Sequence, residues 1–117
     1  MKMIVAIIRP EKLEAVQQAL NDSDVYLMTV TDVRGCGRQR GYTEVYRGTE
    51  FQVRLLPKVK LEISVNDAFV EAAIEAIVHA ARTPETGQIG DGKIFVLPLE
   101  DCVRIRTGER GGEAIGP

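Results

Sequence analysis

The order of periodicities along this chain restricts its fold more than any other feature. An extended apolar run, a helical run and a second extended run occur in that order, and the same order returns beyond a long arm. KMIVAIIR, Lys2 to Arg9, is short, apolar and rich in β-branched residues, as a strand requires. Pro10 follows at a position suited to the first turn of a helix. Leu13, Val16 and Leu20 then recur at helical spacing until the break at Asn21 to Asp24. Tyr26 to Arg34 (YLMTVTDVR) reads as a second strand ending at Gly35.

Past the arm, Val59, Leu61, Ile63 and Val65 alternate with Lys60, Glu62 and Ser64, the period of a half-buried strand. Asn66 or Asp67 is placed to cap the next helix. Its apolar stripe is Phe69, Val70, Ala73, Ile74, Ile77, Val78 and Ala81, and Pro84 and Gly87 end it. KIFVLPL, Lys93 to Leu99, is a fourth strand. Val103 and Ile105, alternating with Arg104 and Arg106, predict a short fifth, and the Gly- and Glu-rich tail over 108–117 is expected to be mobile. Two strand-helix-strand halves predict an α+β fold, the ferredoxin-like β-α-β-β-α-β sandwich with both helices on one face. KMIVAIIR and KIFVLPL are apolar at successive positions, where a half-solvated sheet would alternate. Either the strand ends are simply hydrophobic or the second face is buried against another subunit; the latter is expected, because exposed apolar patches of that size are rare on monomers.

At 117 residues, 44% of them hydrophobic, the chain fits one domain over 1–117. A net charge of -2 argues against a nucleic-acid or membrane binder, which would carry a basic excess. No apolar run approaches the ~18 residues of a membrane span. No signal-like segment precedes the first strand, so Cys36 and Cys102 are expected to be reduced thiols of a cytoplasmic protein.

Three stretches carry chemistry. GQIGDGK, Gly87 to Lys93, fits the G-x-x-x-x-G-K pattern, in which flexible backbone N–H groups and one ammonium cradle phosphate. Ile94 stands where a magnesium-binding hydroxyl belongs and a strand follows, so this is no hydrolase P-loop; a glycine turn feeding strand four is the plainer alternative. Arg104 and Arg106, two apart on the predicted strand, would project from one face ~7 Å apart and suit a polyphosphate. A solvated pair with Glu100 and Asp101 is the alternative. With Lys93 at the start of strand four, the three cations are expected to gather at one edge of the sheet, around a nucleoside di- or triphosphate. GCGRQRG, Gly35 to Gly41, forms a flexible lip whose Arg38 and Arg40 add charge and whose Gln39 offers a neutral oxygen, or else it is a solvated polar loop. The lone histidine, His79, lies on the predicted helix between Val78 and Ala80 and reads as a surface or packing residue rather than a base or ligand, and no catalytic constellation appears.

TEVYRGTEF, LPKVKLEI, TGQIGDGKIFV and VRIRTGE together resemble the PII nitrogen-regulatory signal proteins, over Met1 to about Glu109. The resemblance implies a homotrimer with ATP or ADP in the clefts between neighbours, a T-loop at about 37–55 and a B-loop at about 84–93. By position, Gly35, Gly37, Arg38 and Gln39 match the T-loop base at the nucleotide. Gly90, Gly92 and Lys93 match the phosphate-binding B-loop, with Asp91 between them. Arg104 and Arg106 match the family's phosphate-binding arginines, and Thr29, Glu62 and Ser64 match positions around the adenine. Gln39 and Lys58 match the pair that recognises 2-oxoglutarate, Gln39 also helping to hold a Mg2+ that chelates ATP and the keto acid. Arg47 matches the T-loop residue that relatives insert into an ammonium transporter, and Tyr42, Tyr46, Thr49 and Phe51 complete the expected partner surface.

The sequence departs from the family pattern at Phe51, which stands where many relatives carry a uridylylated tyrosine and has no hydroxyl to modify. Thr49 replaces a small residue, Ser64 stands where valine is common, and the segment before Gly87 is three residues longer, accommodating Pro84 to Thr86. The implied function is a non-enzymatic nitrogen-regulatory sensor of ATP, ADP and 2-oxoglutarate. Its T-loop would control an ammonium transporter or a nitrogen-metabolism enzyme, without nucleic acid and meeting a membrane only through a transporter. The alternatives are a small nucleotide-hydrolysing enzyme and an adenylate-only sensor.

Overall fold

The structure, a computed structural model, describes residues 1–36 and 54–116 in full and, between them, the backbone of 45–46 and 49–50. The strands are β1 (Lys2–Ile8), β2 (Thr29–Gly35), β3 (Val45–Tyr46), β4 (Thr49–Glu50), β5 (Leu56–Val65) and β6 (Gly92–Pro98); the helices are α1 (Leu13–Asp22), α2 (Val70–Ala81) and α3 (Gly112–Ile115). Four strands make one antiparallel sheet in the order β2-β5-β1-β6, and β3 pairs with β4 within the arm. This is the α+β ferredoxin-like sandwich that the repeated strand-helix-strand order predicts.

Register decides which side chains share a face, because Cα partners on adjacent strands point the same way. Ile4 opposes Ile63 and Val96, and Ala6 opposes Leu61 and Ile94. Ile4, Ala6, Leu61 and Ile63 are fully buried beneath the helices, with Val16 and Leu20 of α1 and Ala73 and Ile77 of α2. Pro10 opens a 3-10 turn ahead of α1, where its missing N–H costs no hydrogen bond. Val78 lies less deep than the apolar stripe of α2 implies: it is 38% exposed at the rim.

Three local expectations are corrected. Asn66 stands at the N-cap of the turn before α2 but makes no capping bond; its Nδ2 donates instead to the carbonyls of Gly112 at 3.2 Å and Gly116 at 2.9 Å. Val103–Arg106 is not a strand: Val103 forms one isolated bridge to Arg110, and residues 105–107 turn. The tail expected to be mobile from Gly108 folds back instead. Gly111 N–H donates to the Cys102 carbonyl, α3 follows, and Ile115 is buried. Sequence periodicity missed this because backbone and side-chain hydrogen bonds to distant residues, not an apolar repeat, hold the segment.

Candidate functional site

Ile8 opposes both Val59 and Gly92, and Gly35 opposes Leu56. The exit of β2, the entry of β5, the end of β1 and the start of β6 therefore lie at one end of the sheet. The two roots of the arm and the glycine loop before β6 share that end. Gly87, Gly90 and Gly92 all have positive φ, a region that favours glycine. At Gly92 the requirement is absolute, because a Cβ would stand 1.7 Å from the Ile7 carbonyl oxygen.

Asp91 organises the loop from within. Its carboxylate accepts from the Arg9 Nε–H at 3.0 Å, the Thr83 N–H and the Gln88 N–H at 2.9 Å each, and the Thr83 hydroxyl. Burial would raise its pKa, but these hydrogen bonds outweigh burial and hold the carboxyl well below the usual range. A permanent anion with its lone pairs engaged repels phosphate, so the Asp91 side chain serves the loop's own geometry. Arg9 also donates to the Ile89 carbonyl at 3.0 Å, and Lys58 donates to the Gly90 carbonyl at 2.7 Å. Burial, followed by the Arg9 charge, pushes the Lys58 ammonium below its ordinary pKa, with Glu11 and Asp91 opposing.

On the face away from the helices, Thr29 opposes Glu62, which opposes Val5, which opposes Phe95. One row nearer the glycine loop, Thr31, Lys60, Ile7 and Lys93 are successive partners; one row farther from it, Ser64, Met3 and Leu97 are. Thr29, Glu62, Ser64 and Lys93 thus belong to one open surface. Lys60 and Glu62 approach to 3.8 Å, both more than a third exposed, a pair of little energetic consequence. Phe95 and Leu97 are 50% and 46% exposed, so the apolar second face expected of β1 and β6 exists.

Arg104 and Arg106 do not join Lys93 within one chain, which corrects the expected gathering at one edge. Pro98 opposes Lys2, and Leu99 N–H donates to the Met1 carbonyl, so the chain leaves β6 at the far end of the sheet. The seven residues of β6 span roughly 20 Å. Arg104 and Arg106 do not project from a common strand face either. Arg104 Nη1 donates to Glu109 at 2.8 Å, and Nη2 donates to the Glu113 carbonyl at 3.0 Å and the Ala114 carbonyl at 3.3 Å. Arg106 is exposed in the adjoining turn, beside Ile105, which is 99% exposed.

Gly37, Arg38, Gln39, Tyr42, Arg47 and Phe51, with the side chains of Tyr46 and Thr49, lie outside the described residues. Gly35 ends β2 as expected. Cys36 and Cys102 are free thiols, and His79 is exposed on α2. Among the described residues no helix is long and apolar enough to cross a membrane. A cavity of about 610 Å³ runs under the glycine loop on the helix side, bordered by Ile74, Val78, Ile89 and Ile94. Arg82, Gln88, Asp91 and Lys93 line its rim on the loop side. Arg9 and Thr83, both essential to the loop, escape sequence reasoning because they meet Asp91 only through the fold, Arg9 from 82 residues away.

A profile of the family described as "Nitrogen regulatory protein P-II" matches residues 1–109. The chain is 57% identical over 115 residues to the nitrogen regulatory protein P-II of Rhodospirillum rubrum, covering 98% of this chain and 100% of that protein. It is equally similar, over the same shares, to the protein of that name from Azospirillum brasilense. It is 56% identical to nitrogen regulatory protein P-II 2 of Methanothermobacter thermautotrophicus, covering 98% of this chain and 97% of that one.

Proposed function

We propose that this chain, which belongs to the nitrogen regulatory protein P-II family, binds ATP or ADP between subunits of a homotrimer and, with Mg-ATP, 2-oxoglutarate at the arm root. The arm then transmits ligand occupancy to a protein partner. The observation that carries this reading is the separation of the two phosphate-type groups. The glycine loop with Lys93 lies at one end of the sheet and Arg104 with Arg106 at the other, so a complete phosphate site needs one end of one copy against the opposite end of the next. Contacts of that head-to-tail kind close into rings when the rotation permits. The exposed Phe95 and Leu97 provide apolar surface for the closure.

In this arrangement Thr29, Glu62, Ser64 and Gly35 border the base and sugar, while the backbone of Gly90 and Gly92, with Lys93, faces the phosphates. The neighbour's Arg104 and Arg106 close over them, and Gly37, Arg38 and Gln39 act at the arm base. Lys58 takes a carboxylate of 2-oxoglutarate. Among the described residues no three His, Cys, Asp or Glu side chains group to hold a metal. Gln39 would hold a Mg2+ together with ligand oxygens, as is usual for an ion that keeps few protein ligands beside substrate phosphates, and the ion would supply charge neutralisation there.

The protein binds and signals without turnover. A signal arises only if the ligands favour one arm conformation over another by differential affinity. Arg47, with Tyr42, Tyr46, Thr49 and Phe51, forms the contact with an ammonium transporter or a nitrogen-metabolism enzyme, from the cytoplasmic side. Calorimetry with ATP and Mg2+, with and without 2-oxoglutarate, tests the reading. Binding of 2-oxoglutarate only with Mg-ATP supports it. ATP binding indifferent to 2-oxoglutarate leaves an adenylate-only sensor, and phosphate release above background would make it a hydrolase.

A further inference from the structure

We propose that the hydrogen bond from Lys58 to the Gly90 carbonyl is a latch between the arm's return strand and the glycine loop, released when an anionic ligand at the arm root draws Lys58 to itself. The release step rests on the reading above that Lys58 takes a ligand carboxylate.

Two cations hold two successive loop carbonyls: Arg9 the carbonyl of Ile89 at 3.0 Å, and Lys58 that of Gly90 at 2.7 Å. They are not equivalent. Arg9 is fixed by its second bond, to Asp91, which Thr83 and Gln88 hold in turn. Among the described residues, the hydrogen bond Lys58 makes is to Gly90 alone. Its partner is a neutral carbonyl, and an ammonium bonds more strongly to a carboxylate, where both partners are charged. Lys58 is therefore the movable member of the pair.

The two ends of the latch are built for that motion. Lys58 is the third residue of β5, the strand on which the arm returns, so it stands beside the arm root. Gly90, at φ +101°, carries no side chain to resist reorientation of its carbonyl. Asp91 still anchors the remainder of the loop, so release alters one peptide without unfolding the turn. Coupling of this kind is reciprocal: whatever factor the carboxylate ligand imposes on phosphate affinity, phosphate imposes on the carboxylate.

The experiment follows the carbonyl 13C resonance of Gly90 and the exchange of the Asp91 amide in full-length protein. Without ligand, Lys58→Met should displace the Gly90 resonance and speed Asp91 exchange about tenfold, the loss of one charge-assisted hydrogen bond. Lys60→Met, on the same strand and face, should do neither. Lys58→Gln, which keeps a donor and loses the charge, should fall between. Saturating 2-oxoglutarate with Mg-ATP should then move the wild-type resonance toward its Lys58→Met position.

A Gly90 resonance indifferent to Lys58→Met overturns the latch, as does one that stays in place in wild type at saturating 2-oxoglutarate. ATP calorimetry on the same samples separates the two readings. ATP heat with an immobile Gly90 removes the latch and keeps the nucleotide site. Absence of ATP heat, with Gly90 still displaced by Lys58→Met, removes the nucleotide reading and the release step with it.

Discussion

The Nε–H of Arg9 at the end of β1 donates to the Asp91 carboxylate at 3.0 Å, across 82 residues of sequence, with both side chains about four-fifths buried. The pair ties the first strand to the glycine loop, while Thr83 and Gln88 bring the exit of α2 to the same carboxylate. Asp91→Asn should lower stability at pH 7 by about 1–3 kcal/mol, the cost of weakening a buried charged hydrogen-bond centre. Because the folded pKa lies below the ordinary 3.8, the stabilisation is present above that value and is lost as pH falls through it toward the folded pKa. Urea midpoints at pH 7 and pH 3 should therefore show the gap between wild type and variant narrowing in acid. A gap of constant size would mean that Asp91 gains nothing from being ionised.

Glycine is required at 92 by contact and at 108 by conformation alone. A Cβ at Gly92 meets the Ile7 carbonyl at 1.7 Å, whereas at Gly108, with φ +73°, nothing among the described residues lies within 4 Å. Gly108→Ala should cost about 1 kcal/mol, the left-handed penalty by itself. Gly92→Ala should cost more than about 3 kcal/mol, because β1 and β6 must part as well. Thermal melts of the two variants side by side check the ranking, and equal losses would contradict the close approach.

Arg104 and Arg106 should separate by what their loss disturbs. Arg106→Ala should weaken ATP binding about tenfold or more and leave the melting temperature unchanged. Arg104→Ala should weaken ATP binding and also loosen the C-terminal segment, through its bonds to Glu109 and the carbonyls of Glu113 and Ala114. Amide exchange over 109–116 reads the second effect. Unchanged ATP affinity in both variants would remove the arginines from the site.

If the phosphate site joins opposite ends of two copies, defects at the two ends should complement. Lys93→Ala and Arg106→Ala chains, each unable to bind ATP well, should recover a fraction of full-affinity sites when refolded together. Mixtures that bind no better than the separate variants would place the whole site in one chain.

The open sheet face should govern assembly. Phe95→Asp puts a charge beside Val5 and Leu97, and burying an unpaired charge costs several kcal/mol. Sedimentation should show a trimer for wild type and a monomer for Phe95→Asp, with the far-ultraviolet dichroism of both alike because the core lies on the opposite face. A variant that remains trimeric would mean that this face is not the interface.

Much of this protein is legible along the chain. Alternation in Val59 to Val65 and helical spacing in α1 and α2 announce the sandwich, since strand and helix periods are imposed locally by backbone geometry. The pattern in Gly87 to Lys93 marks the loop because the positive φ of Gly87 and Gly90 is a local requirement for glycine, whereas the contact of Gly92 with Ile7 is made only by the fold. Sequence alone could not place the arginines: the paired spacing of Arg104 and Arg106 reads as a strand, but hydrogen bonds to Glu109, Glu113 and Ala114 make it a turn, and contacts of that kind leave no periodic trace. Nor could it show that Asp91 faces Arg9, or that Lys58 reaches Gly90, because register between β1, β5 and β6 brings these residues together and register depends on the packed core. Local periodicity determined the elements and their order. The tertiary structure decided which ends of the sheet the charged groups occupy, and so that Lys93 and Arg104 stand apart within one chain.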